Sequence, residues 1–170
     1  MASKLKVGII IQARIGSTRM PGKVLEKINK KSILEIIYLR LKKSKYIKNI
    51  KFAIPKIKSE QNLKKHLLQK KIPFFEGNTD DVLDRYYKCA KINKYDHIVR
   101  VTGDCPLIDA SIIDQMYSIF KKKKLNFICN NSPPTFPDGL DVSIFDFNTL
   151  KNSWKNSKSN RVYSSGYVTW

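Results

Sequence analysis

The sequence predicts an α/β fold built on a doubly wound, mostly parallel sheet. The continuous apolar run at residues 7–12 is typical of a strand that is buried on both faces, and residues 97–102 indicate another buried strand. Stretches with apolar residues at helical spacing lie between these runs. Strands that alternate with helices along a chain pair in parallel through right-handed crossovers. We expect one domain over residues 1–170, because the chain shows no linker, no repeat and no break in composition.

The individual elements follow in order along the chain. Strands are predicted near residues 7–12, 50–54, 73–75, 97–102, 126–130 and 141–145. Helices are predicted over residues 33–45, 60–70, 80–90 and 109–121, and from about residue 148. Hydroxyl and carboxylate side chains are preferred at the first position of a helix, and the predicted caps are Ser32, Ser59, Thr79 and Asp109.

The composition indicates an ordinary globular protein with an excess of positive charge. The formal net charge is +19, but most of the 33 basic residues are lysines spread along the whole chain, so we expect no specific nucleic-acid surface. No apolar run is long enough to span a membrane, and the N-terminus lacks a secretory pattern. The three cysteines have no paired spacing, which favours reduced thiols and a cytoplasmic location.

The loop after the first strand carries an unusual set of polar residues. Residues 12–23 contain two glycines, two hydroxyl side chains, two arginines and a lysine, and the whole chain has only six arginines. Glycines let backbone N–H groups approach an anion, and arginine binds phosphate through two parallel hydrogen bonds. The spacing matches neither a Walker loop nor a dinucleotide-binding turn. A phosphate-binding loop and a solvated surface turn are therefore both open, although ligands of such sheets bind at the carboxyl ends of strands.

A carboxylate follows the predicted strand at residues 97–102. Asp104 lies where a nucleotide would bind in such a sheet, and Mg²⁺ takes one or two carboxylates together with phosphate oxygens and water. The alternative is a helix cap, but Asp109 suits that role better. Asp104 is therefore a candidate Mg²⁺ ligand, with the helix cap as the alternative.

Four segments, in this order, closely resemble the sugar cytidylyltransferases. The nearest branch is the group of spore-coat polysaccharide biosynthesis protein F, which is related to the cytidylyltransferases of Kdo and of acylneuraminates. The segments are Ile-Gln-Ala-Arg-Ile-Gly-Ser-Thr-Arg-Met-Pro-Gly-Lys at 11–23, Gly-Asn-Thr-Asp-Asp-Val-Leu-Asp-Arg-Tyr-Tyr at 77–87, Arg-Val-Thr-Gly-Asp-Cys-Pro-Leu-Ile-Asp at 100–109 and Pro-Asp-Gly-Leu-Asp-Val at 137–142. The resemblance covers residues 5 to about 160, after which the sequence diverges, and we expect the domain to be incomplete at its C-terminus.

The resemblance implies a Rossmann-like fold of the nucleotide-diphospho-sugar transferase type. It also implies transfer of CMP from CTP to a sugar or sugar acid for surface polysaccharide biosynthesis, with release of pyrophosphate, and a homodimer in the complete family. Arg14 and Lys23 match the residues that grip the triphosphate, and Asp104 matches the metal-binding carboxylate. Asp141 matches either a second metal ligand or a sugar contact. Nucleotide contacts are implied for Ala13, Arg14, Gly16, Ser17, Arg19, Lys23 and Arg85.

Three other functions are compatible with the residues themselves. A glycosyltransferase on the same sheet would release a nucleotide and no pyrophosphate. A basic nucleic-acid-binding module would bind duplexes with a steep dependence on salt. A fragment without activity would bind only nucleotide or a partner chain.

Overall fold

The computed structural model describes residues 5–17 and 20–157. The strands in this part of the chain are β1 (Val7–Gln12), β2 (Lys27–Ile28), β3 (Lys31–Ser32), β4 (Asn49–Pro55), β5 (Phe74–Gly77), β6 (His97–Thr102), β7 (Phe127–Cys129) and β8 (Ser143–Asp146). The helices are α1 (Ile33–Leu41), α2 (Gln61–Gln69), α3 (Val82–Ile92), α4 (Ala110–Lys122) and α5 (Phe147–Asn156). Short 3-10 turns cover Lys23–Leu25 and Lys58–Glu60.

Six of these strands form one central sheet in the order β5-β4-β1-β6-β8-β7. The first four pair in parallel, whereas β8 is antiparallel to both β6 and β7. β2 and β3 form a separate small hairpin, which the sequence did not predict. The α/β class with a mostly parallel sheet is therefore confirmed.

The central strand β1 is buried on both faces of the sheet. Ile9 and Ile11 pack into one apolar cluster, which includes residues of α1, α2 and α4. Ile10 points to the opposite face and packs with Tyr86 of α3 and Leu150 of α5. Helices therefore cover both faces, as the continuous apolar run predicted.

The strand register brings several loops to one edge of the sheet. Gln12 at the end of β1 lies level with Ala53 of β4 and with Thr102 of β6. Because β8 runs the other way and Ser143 pairs with Arg100, the residues that precede β8 lie at this same edge. We call this edge, where the loops after β1, β4 and β6 meet the segment before β8, the carboxyl edge.

Several predicted helix ends are confirmed and others are wrong. Ser32 caps α1 by accepting a hydrogen bond from the Glu35 N–H, and Asp109 caps α4. Ser59 does not cap α2, because it lies inside the 3-10 turn that precedes the helix. Thr79 does not cap α3 either. The Asn78 side chain accepts the N–H groups of residues 80 and 81, which delays the helix until Asp81 caps it.

The first helix ends at Leu41, earlier than the predicted residue 45. The chain turns away at Ser44, whose hydroxyl donates to Asp114 at 2.6 Å and accepts the Ile47 N–H at 3.0 Å. The same carboxylate accepts the Lys45 N–H at 2.7 Å. This buried bond network with α4 competes with further helical turns, and no local sequence pattern shows it.

Candidate nucleotide and metal site at the carboxyl edge

The loop after β1 folds back on itself around Ile15. The Ile15 carbonyl accepts hydrogen bonds from the N–H groups of Ser17 at 2.7 Å and Gly22 at 3.0 Å. Gly22 has a φ of 76°, a left-handed conformation that suits glycine. The turn delivers Lys23 to the start of a 3-10 turn at the carboxyl edge. The predicted nucleotide contact Arg19 lies outside the described part of the chain.

The loop packs tightly against the segment that follows β6. The Gly103 N–H donates to the Gln12 carbonyl at 2.8 Å, and the Ala13 N–H donates to the Ala53 carbonyl at 3.3 Å. A Cβ atom on Gly103 would lie 2.7 Å from the Gln12 carbonyl oxygen and 3.0 Å from the Ala13 Cβ. Ala13 is buried and packs against Gly103, and a contact of Ala13 with a nucleotide stays a prediction.

Lys23 and Asp104 meet at the carboxyl edge although 81 positions separate them in the chain. The Lys23 Nζ donates to the Asp104 Oδ2 at 2.6 Å. Both side chains are partly accessible, with 26% and 42% of their surface exposed. Burial raises the pKa of Asp104, but hydrogen bonding and charge attraction from Lys23, with a hydrogen bond from Thr102, outweigh it and hold the pKa below its usual value.

Three carboxylates act on the thiol of Cys105 through their charge. Burial is the main cause of the raised pKa of the Cys105 thiol, and Asp104, Asp141 and Asp138 raise it further. The pKa of Asp141 is itself raised, first by burial and then by Asp138. The predicted sugar or metal residue Asp141 therefore lies on the same side of the edge as Asp104.

The residues at this edge fit a Mg²⁺ ion that shares its shell with a ligand. Among residues 5–17 and 20–157, no three His, Cys, Asp or Glu side chains form a metal-binding cluster. Mg²⁺ is commonly held by one or two carboxylates plus substrate phosphates and water. The accessible carboxylate of Asp104 suits this kind of binding, and Asp141 is a second candidate ligand.

Arg85 lies beneath the carboxyl edge and is almost fully buried, with 1% of its surface exposed. Its Nη1 donates to the carbonyl oxygens of Asn78 and Thr79, which braces the loop before α3. Burial lowers the pKa of Arg85, Arg14 lowers it further, and Asp81 and Glu60 raise it. Arg14 and Arg85 therefore lie near each other, while a direct contact of Arg85 with a nucleotide stays a prediction.

Glu60 is a site residue that the sequence reasoning missed. Its carboxylate is buried and accepts the Ile15 N–H with Oε1 at 3.0 Å and Oε2 at 2.8 Å. The signal that points to it is its position, because it follows β4 at the same edge of the sheet. Arg40 was missed as well. It donates to the carbonyls of Ile108 at 2.7 Å and Leu107 at 3.1 Å and so supports the loop after Asp104.

The two histidines contact residues outside this site. The His66 Nε2 lies 2.8 Å from the Ser32 hydroxyl, and the His97 Nδ1 lies 3.2 Å from the Tyr117 hydroxyl. Both make structural contacts between elements.

A parallel sheet with a glycine-containing basic loop and a facing carboxylate at its carboxyl edge is typical of nucleotide-binding α/β proteins. A sequence profile described as Cytidylyltransferase matches residues 8–169. The chain therefore belongs to the cytidylyltransferase family, as the four motifs indicated.

Curated relatives come from several organisms. The chain is 39% identical over 97% of its length to an uncharacterized protein of Methanocaldococcus jannaschii, of which it covers 66%. It is 35% identical over 63% of its length to spore coat polysaccharide biosynthesis protein SpsF of Bacillus subtilis, covering 46% of that protein. It is 32% identical over 69% of its length to 8-amino-3,8-dideoxy-manno-octulosonate cytidylyltransferase of a Shewanella species, covering 49%.

The fold has a close match among solved structures. A cytidylyltransferase from Leptospira borgpetersenii superposes with a TM-score of 0.85 at 35% identity, over 90% of this chain and 65% of that one. This match confirms the nucleotide-diphospho-sugar transferase type of fold. The chain spans about half to two thirds of the length of these relatives. Among the described residues, none of the helices has the length and apolar character that crossing a bilayer requires.

Proposed function

We propose that this chain transfers CMP from CTP to a hydroxyl group of a sugar or sugar acid and releases pyrophosphate. The observation that carries the proposal is the contact of 2.6 Å between Lys23 and Asp104, at the ends of the loops that follow two adjacent parallel strands. A cation for phosphate and a carboxylate for Mg²⁺ are thereby held side by side in a member of the cytidylyltransferase family.

The basic side of the site would bind the triphosphate. Lys23 would neutralise charge on the α-phosphate and on the departing pyrophosphate, and Arg14 would hold phosphate oxygens through its guanidinium. Gly16 would bring its backbone N–H close to the anion, and Ser17 would offer its hydroxyl, because the Ser17 N–H already donates to the Ile15 carbonyl. The ion pair with Asp104 is partly exposed, and such pairs contribute only about 0–1 kcal/mol, so a triphosphate can readily displace it.

The acidic side would hold Mg²⁺ on Asp104, with Asp141 as a second ligand or a sugar contact. When bound, the ion would supply positive charge to phosphate oxygens. Asp104 is suited to this role because 42% of its side-chain surface is exposed, so the carboxylate can bind an ion together with a ligand. The protein residues would orient the α-phosphate so that the sugar oxygen can approach opposite the leaving group.

The bonds of the proposed reaction balance within one step. The sugar oxygen forms a bond to the α-phosphorus and loses its proton, while the bond from that phosphorus to the bridging oxygen of the β-phosphate breaks. CMP-sugar and pyrophosphate are the products. The name of the family supports CTP as the nucleotide, and the names of the Bacillus subtilis and Shewanella relatives support a polysaccharide precursor or a sugar acid.

Location and assembly are part of the same proposal. Cys89, Cys105 and Cys129 are free thiols, which supports a reducing, cytoplasmic environment. We propose a homodimer on the resemblance to the family, and sedimentation of the purified chain would test it.

Pyrophosphate release is the direct test. We expect release with CTP, Mg²⁺ and one member of a panel of sugar acids and neutral sugars, and much less with ATP, GTP or UTP. Release of free nucleotide from a nucleotide sugar, without pyrophosphate, would instead establish a glycosyltransferase. Tight duplex binding at physiological salt, with no nucleotide binding, would establish a nucleic-acid-binding module.

A further inference from the structure

The buried carboxylate of Glu60 contacts the basic loop from below. Only 5% of the surface of Glu60 is exposed, and both of its oxygens lie within 3.0 Å of the Ile15 nitrogen. Ile15 lies 45 positions earlier in the chain, so the contact joins the loop after β1 to the segment after β4. Burial of a charged group is unfavourable unless the group is paired or hydrogen-bonded. We therefore expect the Glu60 carboxylate to have a role in the basic loop as well as at the start of α2.

Ile15 is the point on which the conformation of the basic loop depends. Its carbonyl accepts the N–H groups of Ser17 and Gly22, while its N–H donates to Glu60. Ile15 thus closes the turn through its carbonyl and connects the loop to the segment after β4 through its N–H. Arg14 directly precedes this residue, and Lys23 directly follows Gly22. A shift of Ile15 would therefore move both phosphate-binding side chains together.

The surrounding charges favour a carboxylate at this position. Arg14 and Arg85 repel each other, as the effect of Arg14 on the pKa of Arg85 shows, and Glu60 opposes that effect. Glu60 therefore offers the loop a charge-assisted acceptor, which binds an N–H group more strongly than a neutral acceptor does. It also offsets the repulsion between two arginines of the site.

We infer that Glu60 is a positioning residue, which holds the described parts of the basic loop, residues 13–17 and 20–23, in the conformation that binds the triphosphate. The inference rests on the proposed function and adds a residue that acts through Ile15 without touching the substrate. A small change in such a loop is sufficient to weaken binding, because phosphate contacts depend on the geometry of several donors at once.

Two variants separate the hydrogen bond from the charge. Glu60→Gln keeps an oxygen at the same reach and loses the charge, whereas Glu60→Asp keeps the charge and withdraws the carboxylate by one methylene group. Glu76→Gln is the matched control, because Glu76 lies on β5 in an ion pair with Lys64. The three variants and the parent are titrated by calorimetry with tripolyphosphate, CTP and cytidine.

We expect Glu60→Asp to lose about tenfold or more in affinity for tripolyphosphate and CTP, and less than about twofold for cytidine. We expect Glu60→Gln to lie between the parent and Glu60→Asp for tripolyphosphate and CTP, because it keeps an acceptor but loses the charge. Glu76→Gln should stay within about threefold of the parent for all three ligands. Unchanged tripolyphosphate affinity in Glu60→Asp would overturn the inference. An equal loss for cytidine would also overturn it, since that pattern reports general damage to the fold.

Amide hydrogen exchange tests the same contact without any ligand. The Ile15 N–H should be protected in the parent and in Glu60→Gln, and should exchange much faster in Glu60→Asp. An unprotected Ile15 amide in the parent would overturn the inference. If the parent binds tripolyphosphate and does not prefer CTP to other nucleotides, the proposed function fails while the role of Glu60 stands or falls on its own results.

Discussion

Replacement of Lys23 by alanine removes one side of the contact on which the proposed site depends. The side chain extends from a 3-10 turn at the carboxyl edge to Asp104, and 26% of its surface is exposed. No part of the apolar core loses packing, so the substitution should act on ligand binding and leave the fold intact.

The expected loss follows from the chemistry of the contact. A hydrogen bond to a charged group contributes about 1.5–3 kcal/mol. Since about 1.4 kcal/mol corresponds to a factor of ten, the affinity for CTP should fall by about 10- to 150-fold. The lost ion pair is partly exposed and contributes about 0–1 kcal/mol, so the melting temperature should fall by no more than about 4 °C.

Calorimetry with CTP and Mg²⁺ measures the first quantity, and thermal denaturation measures the second. Lys31→Ala is the matched control, because Lys31 is an exposed lysine on the neighbouring hairpin and its loss changes the net charge equally. Affinity for cytidine should be almost unchanged, because Lys23 is proposed to bind only phosphate. A Lys23→Ala variant that binds CTP as tightly as the parent would refute the assignment of the basic loop.

Three further predictions concern the metal, the packing of the loops and pH. Asp104→Asn should remove the Mg²⁺-dependent part of CTP affinity in calorimetry, because an amide lacks the charge that a hard cation needs; an unchanged Mg²⁺ dependence would leave Asp141 as the next candidate. Gly103→Ala should lower the free energy of unfolding by about 1–3 kcal/mol, because its Cβ would lie 2.7 Å from a backbone oxygen. Gly16→Ala should change it by less than about 0.5 kcal/mol, because no atom of the described residues, apart from its two chain neighbours, lies within 4 Å of the new Cβ. Equal melting temperatures for these two variants would contradict the packing of the two loops. Burial lowers the pKa of both His66 and His97 below 6.5, so each binds a proton less readily in the folded than in the unfolded chain. Stability should therefore be complete above about pH 6.5 and fall as the pH decreases below it, and the fall should be smaller in the His66→Gln, His97→Gln double variant; an equal fall would assign the effect to other groups.

Local patterns predicted most of the sheet. The strands at residues 7–12 and 97–102 were predicted at their observed bounds, because a buried parallel strand is a continuous apolar run with polar residues at its end. Ser32 and Asp109 were recognised as caps because each bonds to N–H groups only two or three residues away. The hairpin of β2 and β3 escaped prediction, since each of its strands has only two residues.

The sequence indicated which ligands the candidate site would bind, but it did not show which residues would meet there. The motifs around Arg14, Lys23 and Asp104 indicated phosphate and Mg²⁺ because those residue types suit those ligands. The contact between Lys23 and Asp104 was not predictable from spacing, since it requires β1 and β6 to be neighbours in the sheet. The position of Asp141 likewise depends on the reversed direction of β8.

The sequence by itself determined the α/β class, the order of the main elements and the family, because these depend on local periodicity and on residues within single loops. Only the tertiary structure decided which loops meet. Glu60 shows the difference most clearly. From the sequence alone, a glutamate at the start of a helix is expected only to interact favourably with the helix dipole. Its carboxylate accepts a hydrogen bond from the Ile15 N–H because parallel pairing places the ends of β1 and β4 side by side. That pairing is a non-local property of the folded chain.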